Sequence, residues 1–213
     1  FVTVSDGVAT SAPQTLRFNL ADVNEAPQGG DATTTATEDT DYVFAVGDFI
    51  LADPDAGDSL LGIRIESLPA TGSLVLNNVI LDGSTPLPAY VPASALINGE
   101  LIYRPAANSQ GSNVAAFNLR VLDSAGVPSE MRTQTVDVTS VNDSPVMVSF
   151  GGAPMGALTV TENGTSVATV VATDPDGDAI QYFKSGTDAA RFNVDQNSGV
   201  VTFIAPPDFE NHT

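Results

Sequence analysis

Short stretches of this chain alternate apolar and polar residues with a period of two. The clearest are Leu16-Arg-Phe-Asn-Leu20, Gly72-Ser-Leu-Val-Leu76, Ala116-Phe-Asn-Leu-Arg-Val121, Thr133-Gln-Thr-Val-Asp-Val138, Ala157-Leu-Thr-Val160 and Gly199-Val-Val-Thr-Phe-Ile204. A period of two places every second side chain on one face, which is the signature of a half-buried strand. Thr and Val dominate these stretches, as strands prefer. Turn formers separate them: Asp6-Gly7, Asn98-Gly99, Ser109-Gln-Gly111, Asn163-Gly164 and Asn197-Ser-Gly199. No apolar stripe of helical period is sustained. The pattern predicts an all-β chain of antiparallel sandwiches. Phe44, Phe49, Phe117, Phe183, Phe192 and Phe203 are the expected aromatic core.

The phrases between the strands repeat in order. Asp22-Val-Asn-Glu-Ala-Pro27 returns as Ser140-Val-Asn-Asp-Ser-Pro145, and Thr37-Glu-Asp39 as Thr161-Glu-Asn163. Ala52-Asp-Pro-Asp-Ala-Gly-Asp58 returns as Thr173-Asp-Pro-Asp-Gly-Asp178. Val4-Ser-Asp-Gly7 matches Val121-Leu-Asp-Ser124. The period is roughly 120 residues, the mark of a tandem array. Residues 1–24 then read as the last two strands of one repeat, 25–142 as a complete repeat, and 143–213 as the front of a third. The chain opens mid-strand at Phe1-Val-Thr-Val4, as a piece of a longer polypeptide does. The third segment lacks its closing strands and is expected to be unstable alone.

Charge sharpens this picture. The chain has 26 acidic and 7 basic residues, a net charge of −19. Phosphate contacts need Lys and Arg, so nucleic acid is excluded as a partner. With 42% apolar and only 15% charged residues, the chain can still build a core. Nineteen of the acids are Asp, clustered in the repeated phrases. Their mutual repulsion opposes compactness, and a divalent cation would relieve it. The chain has no Cys, which removes disulfides and thiolate metal sites. No apolar run reaches the ~20 residues of a membrane span.

Asp53-Pro-Asp55 and Asp174-Pro-Asp176 set carboxylates two residues apart, with a Pro fixing φ between them. Glu25 and Asp143, next to Asn24 and Asn142, precede a Pro at the repeat boundaries. Carboxylate, amide and carbonyl oxygens suit Ca²⁺, which takes six to eight of them, more than one loop can supply. The economical arrangement shares the ion between neighbouring repeats. An EF-hand starting at Asp174 fails, because its twelfth position is Ser185 rather than a bidentate Glu.

These residues resemble the cadherin repeat in its bacterial form, the tandem cadherin-like domains of giant RTX-type secreted adhesins. In the third segment the resemblance rests on Val160-Thr-Glu-Asn163, Val170-Val-Ala-Thr-Asp-Pro-Asp-Gly-Asp178, Phe192-Asn-Val-Asp195 with Ser198-Gly199, and Pro207-Asp-Phe-Glu210. In the middle repeat it rests on Glu38-Asp-Thr40, Ile65-Glu-Ser-Leu-Pro-Ala-Thr-Gly72 and Leu101-Ile-Tyr-Arg-Pro-Ala-Ala107. The resemblance implies tandem Greek-key (cadherin/immunoglobulin-like) β-sandwich repeats with Ca²⁺ at the boundaries. It implies that Asp22, Asn24, Glu25, Asp53, Asp55 and Asp123 serve the boundary near residue 25. Glu38, Asn142, Asp143, Asp174 and Asp176 would serve the one near residue 143. Asp6, Glu162 and Glu210 would face boundaries whose other halves lie outside the chain. It further implies an extracellular spacer on a bacterial surface or secreted protein, whose partners are neighbouring repeats and a homophilic, cell-surface or polysaccharide ligand. Two departures weaken the second boundary. Ser140 stands where the linker phrase starts with Asp, and Tyr103-Arg-Pro105 stands where an acidic motif is usual.

Other functions fit less well. The lone His212 cannot complete a Ser-His-Asp set, and no HExxH or phosphate loop is present. A carbohydrate-binding module is the alternative. It usually needs exposed rings, and the chain has no Trp; Tyr90, between Pro88 and Pro92, is the best candidate. Asn142, Asn163 and Asn211 begin Asn-x-Ser/Thr sequons, to which the resemblance to bacterial repeats gives no weight.

Overall fold

The computed structural model describes residues 1–152 and 156–210. His212 and the Asn211 sequon lie outside them.

The middle stretch forms β1 (Gln28–Gly29), β2 (Ala32–Thr37), β3 (Tyr42–Val43), β4 (Leu51–Ala52), β5 (Gly62–Ile65), β6 (Ser73–Leu76), β7 (Val79–Leu81) and β8 (Ala89–Pro92). A one-turn helix α1 (Ala93–Ile97) follows, then β9 (Leu101–Arg104), β10 (Gly111–Leu122) and β11 (Arg132–Thr139). Two sheets result, ordered β2-β11-β10-β5-β8 and β3-β9-β6-β7. β2 runs parallel to β11, while β10 runs antiparallel to both β11 and β5.

Alternation decides which residues enter the space between the sheets. In β11, Gln134, Val136 and Val138 are buried while the residues between them are not. In β10, Phe117, Leu119 and Val121 do the same. Phe44, just after β3, meets Phe117 of the opposite sheet edge-on at 5.7 Å, a geometry that adds to simple burial. Ile63, Ile65, Leu74, Val91, Leu101 and Tyr103 complete this core.

The third stretch repeats the plan in part. It contains β12 (Val146–Met147), β13 (Ser166–Thr169), β14 (Ala172–Thr173), β15 (Phe192–Val194) and β16 (Val200–Phe203). β12 pairs with β14 as β1 pairs with β4. The order β13-β16-β15 reproduces β3-β9-β6. Gly199, with φ +68°, makes the turn before β16, and a side chain there would collide with the Val170 carbonyl.

Two expected strands do not form. Leu16–Leu20 and Ala157–Val160 carry the period-two pattern but no strand pairing. A strand needs a neighbour for its backbone N–H and C=O groups, and the described residues place none beside them. Phe183, expected in the core, is 71% exposed. The described residues put no second sheet over it. Residues 1–14 form a loose hairpin through the bridges Val2↔Gln14 and Ser5↔Thr10.

Candidate functional site

Each acidic phrase first makes its own turn. The backbone N–H of Asp55 donates to Asp53 Oδ1 at 2.9 Å, and that of Asp176 to Asp174 Oδ1 at 3.0 Å. One oxygen of the first Asp thus closes the turn across the Pro and leaves the other free. Asp39 and Asn163 adopt left-handed φ of 58° and 62°. Asn and Asp tolerate that region. The kink ends β2 after Thr37 and sets Glu38 at the strand tip, where its N–H donates to the Thr139 carbonyl at 2.9 Å.

The junction near residue 25 is tied together from both sides. The Glu25 N–H donates to Asp55 Oδ2 at 2.8 Å, and the Asn24 amide to Asp123 Oδ2 at 2.9 Å. Asp123 is 0% exposed. Its Oδ1 accepts the Val127 N–H at 2.7 Å. One oxygen each of Asp53, Asp58 and Asp123 lies within 4.8 Å of the others. Ca²⁺–oxygen bonds of about 2.4 Å allow ligand oxygens at most about 4.8 Å apart, so this spacing fits one ion. Glu25 is held above its ordinary value by the hydrogen bond and charge of Asp55, then by burial and by Asp22 and Asp53. Burial works to raise Asp123, but hydrogen bonds from Asn24, Val127, Ala125 and Gly126 outweigh it and hold it low.

The junction near residue 143 copies this backbone plan. The Asp143 N–H donates to Asp176 Oδ2 at 2.6 Å. The Asn142 amide donates to the Asp143 carbonyl, as the Asn24 amide does to that of Glu25. Glu38 is 1% exposed, and the Val141 N–H reaches its Oε2 only at 3.3 Å. The Ser140 hydroxyl donates to Asp176 Oδ1 at 2.7 Å. Burial, then the charges of Asp39, Asp176 and Asp174, push Asp143 up. Asp176 is held low by the hydrogen bonds from Asp143 and Ser140.

These carboxylates fit a hard cation. Six buried side-chain polar atoms among the described residues have no hydrogen-bond partner in the protein, and three of them are Asp53 Oδ2, Asp58 Oδ2 and Asp143 Oδ2. The described ion pairs join Arg64 and Arg120 to Glu66, Arg104 to Asp41, and Arg191 to Asp188. None involves a junction carboxylate. Buried carboxylates without a counter-charge are costly.

Further along, Glu162, Asp208 and Glu210 group as Asp53, Asp58 and Asp123 do. The Phe209 N–H donates to Glu162 Oε2 at 2.9 Å. Asp6 stands apart from these clusters, its Oδ1 closing the turn to Val8 and Ala9. Asp22 contributes charge beside Glu25. The sequence reading missed Asp39, Asp58 and Asp208. Asp39 and Asp58 sit inside the repeated phrases and Asp208 inside Pro207-Asp-Phe-Glu210, and those positions were the available signal. Tyr90, the candidate sugar platform, donates its hydroxyl to the Leu61 carbonyl at 3.2 Å. Its ring lies against Gly62, where a Cβ would meet it at 2.8 Å.

No protein-family model matches the chain, and no curated protein matches it. Among solved structures it is similar to mouse cadherin-23 EC22-24, with 18% identity and a TM-score of 0.50 over 88% of this chain and 56% of that one. It is also similar to the protocadherin gammaB7 EC3-6 cis-dimer structure, with 16% identity and a TM-score of 0.51 over 96% of this chain and 49% of that one. The fold is cadherin-like. The chain spans about half the length of these structures, and at such identities the likeness is one of fold. Among the described residues no helix is long and apolar enough to cross a membrane.

Proposed function

We propose that the chain is a calcium-binding spacer module of a bacterial surface or secreted adhesin. Its units are residues 1–24, 25–142 and 143–213, and Ca²⁺ at the boundaries stiffens the array. The observation that carries this reading is the pair of buried carboxylates, Asp123 at one boundary and Glu38 at the other, with no cationic side chain paired to either among the described residues.

Asp22, Asn24, Glu25, Asp53, Asp55, Asp58 and Asp123 hold the ion near residue 25. Glu38, Asp39, Asn142, Asp143, Asp174 and Asp176 hold it near residue 143. Bound Ca²⁺ supplies the counter-charge that turns mutual repulsion into a bridge between units. The role is mechanical: a ligated linker resists bending, and its neighbours gain stability by mass action. A site at a hundredfold excess of ion over Kd adds about 2.7 kcal/mol.

Calorimetric titration of the metal-free chain with Ca²⁺ should show binding. EDTA should lower Tm and shorten the particle measured by solution scattering. If Tm and length both stay the same in EDTA, the reading is wrong.

A further inference from the structure

We infer that the outer face of the strands β8, β5 and β10 binds an acidic polysaccharide, one whose sugar rings carry carboxylates. The inference stands apart from the calcium reading. It concerns the flank of the middle sandwich, not its ends.

Alternation places three side chains in one row across that face. Val91, Ile63 and Val121 are buried in the core, so Tyr90, Arg64 and Arg120, one residue before or after them, point outward. The register sets them side by side. Arg64 lies opposite Tyr90 of β8 and opposite Arg120 of β10. Neighbouring strands are about 4.8 Å apart, so the row spans about 10 Å. The next row on the same face holds Asn118 and Thr133, also paired in register.

This row reverses the sign of charge that the chain carries elsewhere. There are 7 basic residues against 26 acidic ones, and two of the seven stand here as direct neighbours. Like charges facing each other across two strands are unfavourable. Glu66 offsets only part of that. One of its carboxylate oxygens accepts from Arg64 Nη2 and from Arg120 Nε, each at 3.3 Å. Two guanidinium charges thus share one carboxylate, at distances longer than the roughly 2.8 Å of a strong charged hydrogen bond. Arg120 Nη1 also donates to the Ser129 carbonyl at 2.7 Å, which fixes the fork without neutralising it. The side chains of Arg64 and Arg120 remain 36% and 31% exposed. A carboxylate on a ligand would be the second anion that this pair of cations lacks.

The aromatic ring beside them is held in place and open to solvent. The Tyr90 hydroxyl donates to the Leu61 carbonyl at 3.2 Å. The ring rests against Gly62, where a Cβ would come within 2.8 Å of it. Fixed at its tip and against the glycine, Tyr90 is still 47% exposed. A side chain already immobilised loses little entropy on binding. Its apolar body and polar tip match the C–H face and hydroxyls of a sugar ring. An acidic peptide would use the arginines alone. The open ring, with the amide of Asn118 and the hydroxyl of Thr133 alongside, favours a sugar chain.

The net charge of −19 does not prevent this. Along β10 the junction acid Asp123 is three residues from Arg120, about 10 Å. That exceeds the Debye length of about 8 Å at physiological salt, while direct contacts are screened much less. On the β2 side of the face, Asp31 and Asp137 accept the backbone N–H groups of Thr133 and Asn113.

The test is calorimetric titration of the full chain with a galacturonic acid oligomer at about 0.15 M salt, in metal-free buffer below the metal-free Tm. Without metal, the oligomer has no ion through which to bridge to the acidic junctions, so this inference and the calcium reading stand or fall separately. The acid oligomer should bind. Its carboxyl-reduced, neutral form should bind at least about tenfold more weakly, and so should polyglutamate of equal charge, which has no ring to lay on Tyr90. Arg64→Gln and Arg120→Gln should each weaken the acid oligomer about tenfold, as loss of a charged hydrogen bond does. Tyr90→Thr should cost a similar factor. Glu66→Gln should tighten binding several-fold, because Gln keeps an acceptor oxygen and gives up the competing charge. A gain of affinity cannot come from a damaged fold, and the Tm of each variant is read alongside. No binding of the acid oligomer, equal binding of the neutral oligomer or of polyglutamate, unchanged affinity in the arginine or Tyr90 variants, or weaker binding in Glu66→Gln would each overturn the inference.

Discussion

At the junction near residue 25 the buried carboxylate is Asp123, on the loop after β10. At the junction near residue 143 it is Glu38, at the end of β2. The linker hydrogen bonds are the same at both: an Asx turn across Pro, a linker N–H on the second Asp, and an Asn amide on the next carbonyl. In the repeated phrases Glu38 matches Glu162 and Asp123 matches Asp6. Shared backbone geometry therefore says how a boundary is shaped, while a few side chains decide how much negative charge it concentrates.

The sharpest way to break this comparison is to remove each buried carboxylate. Asp123→Asn should weaken calcium at the first boundary by about tenfold or more, since one charge near a divalent ion is worth a few kcal/mol at an effective dielectric of about 20 or above. It should leave the second boundary unchanged. Glu38→Gln should do the reverse. Calorimetric titration reads both, and two variants weakening the same class of site would contradict the division.

A slightly smaller effect is expected within the second boundary. Asp174→Asn should lower its affinity by about tenfold. Asp195→Asn should not, because the Asp195 carboxylate is spent on a turn, accepting from Asn197, Ser198 N–H and the Ser198 hydroxyl. Equal affinities for the two variants would remove Asp174 from the site.

Ser140→Asp tests the comparison in the opposite direction. The Ser140 hydroxyl takes up an oxygen of Asp176, where the first boundary has Asp22 instead. Adding the charge should raise second-boundary affinity several-fold, up to about tenfold. An unchanged affinity would mean this position does not reach the ion.

The smallest effect concerns Arg104, which stands near the place where the third unit carries Asp208-Phe-Glu210. Arg104 forms a two-pronged ion pair with Asp41 at 2.8 Å and lowers the Asp41 pKa. A lowered carboxylate stabilises the fold above its ordinary value of 3.8 and loses that contribution as pH falls through the lowered value. Arg104→Gln should lower Tm only slightly at neutral pH, because exposed pairs contribute little. The difference from the parent should vanish in acid. Calcium affinity at the second boundary should not change, and a rise would show that Arg104 had been repelling the ion.

Much of this was legible in order and spacing. Recurring phrases marked two junctions with the same linker hydrogen bonds, and alternation located β6, β10, β11 and β16. It failed at Leu16–Leu20 and Ala157–Val160, where the pattern is as clear as in β11 but no partner is described alongside. The site was half legible. Asp53, Asp55, Asp174 and Asp176 are marked by their Pro spacing, which is local. Asp58 and Asp39 look like ordinary turn residues, and only folding brings Asp58 to Asp123 and Asp39 to Asp143.

The sequence alone determined the all-β character, the period of the repeat and the acidic content of the phrases, because these follow from neighbours along the chain. Tertiary structure decided which oxygens converge. Burial of Glu38 depends on β2 lying beside β11, and burial of Asp123 on the loop after β10 closing over the Asn24 amide. Convergence of like charges is unfavourable in itself, so no local preference encodes it. The packing of the two sheets imposes it.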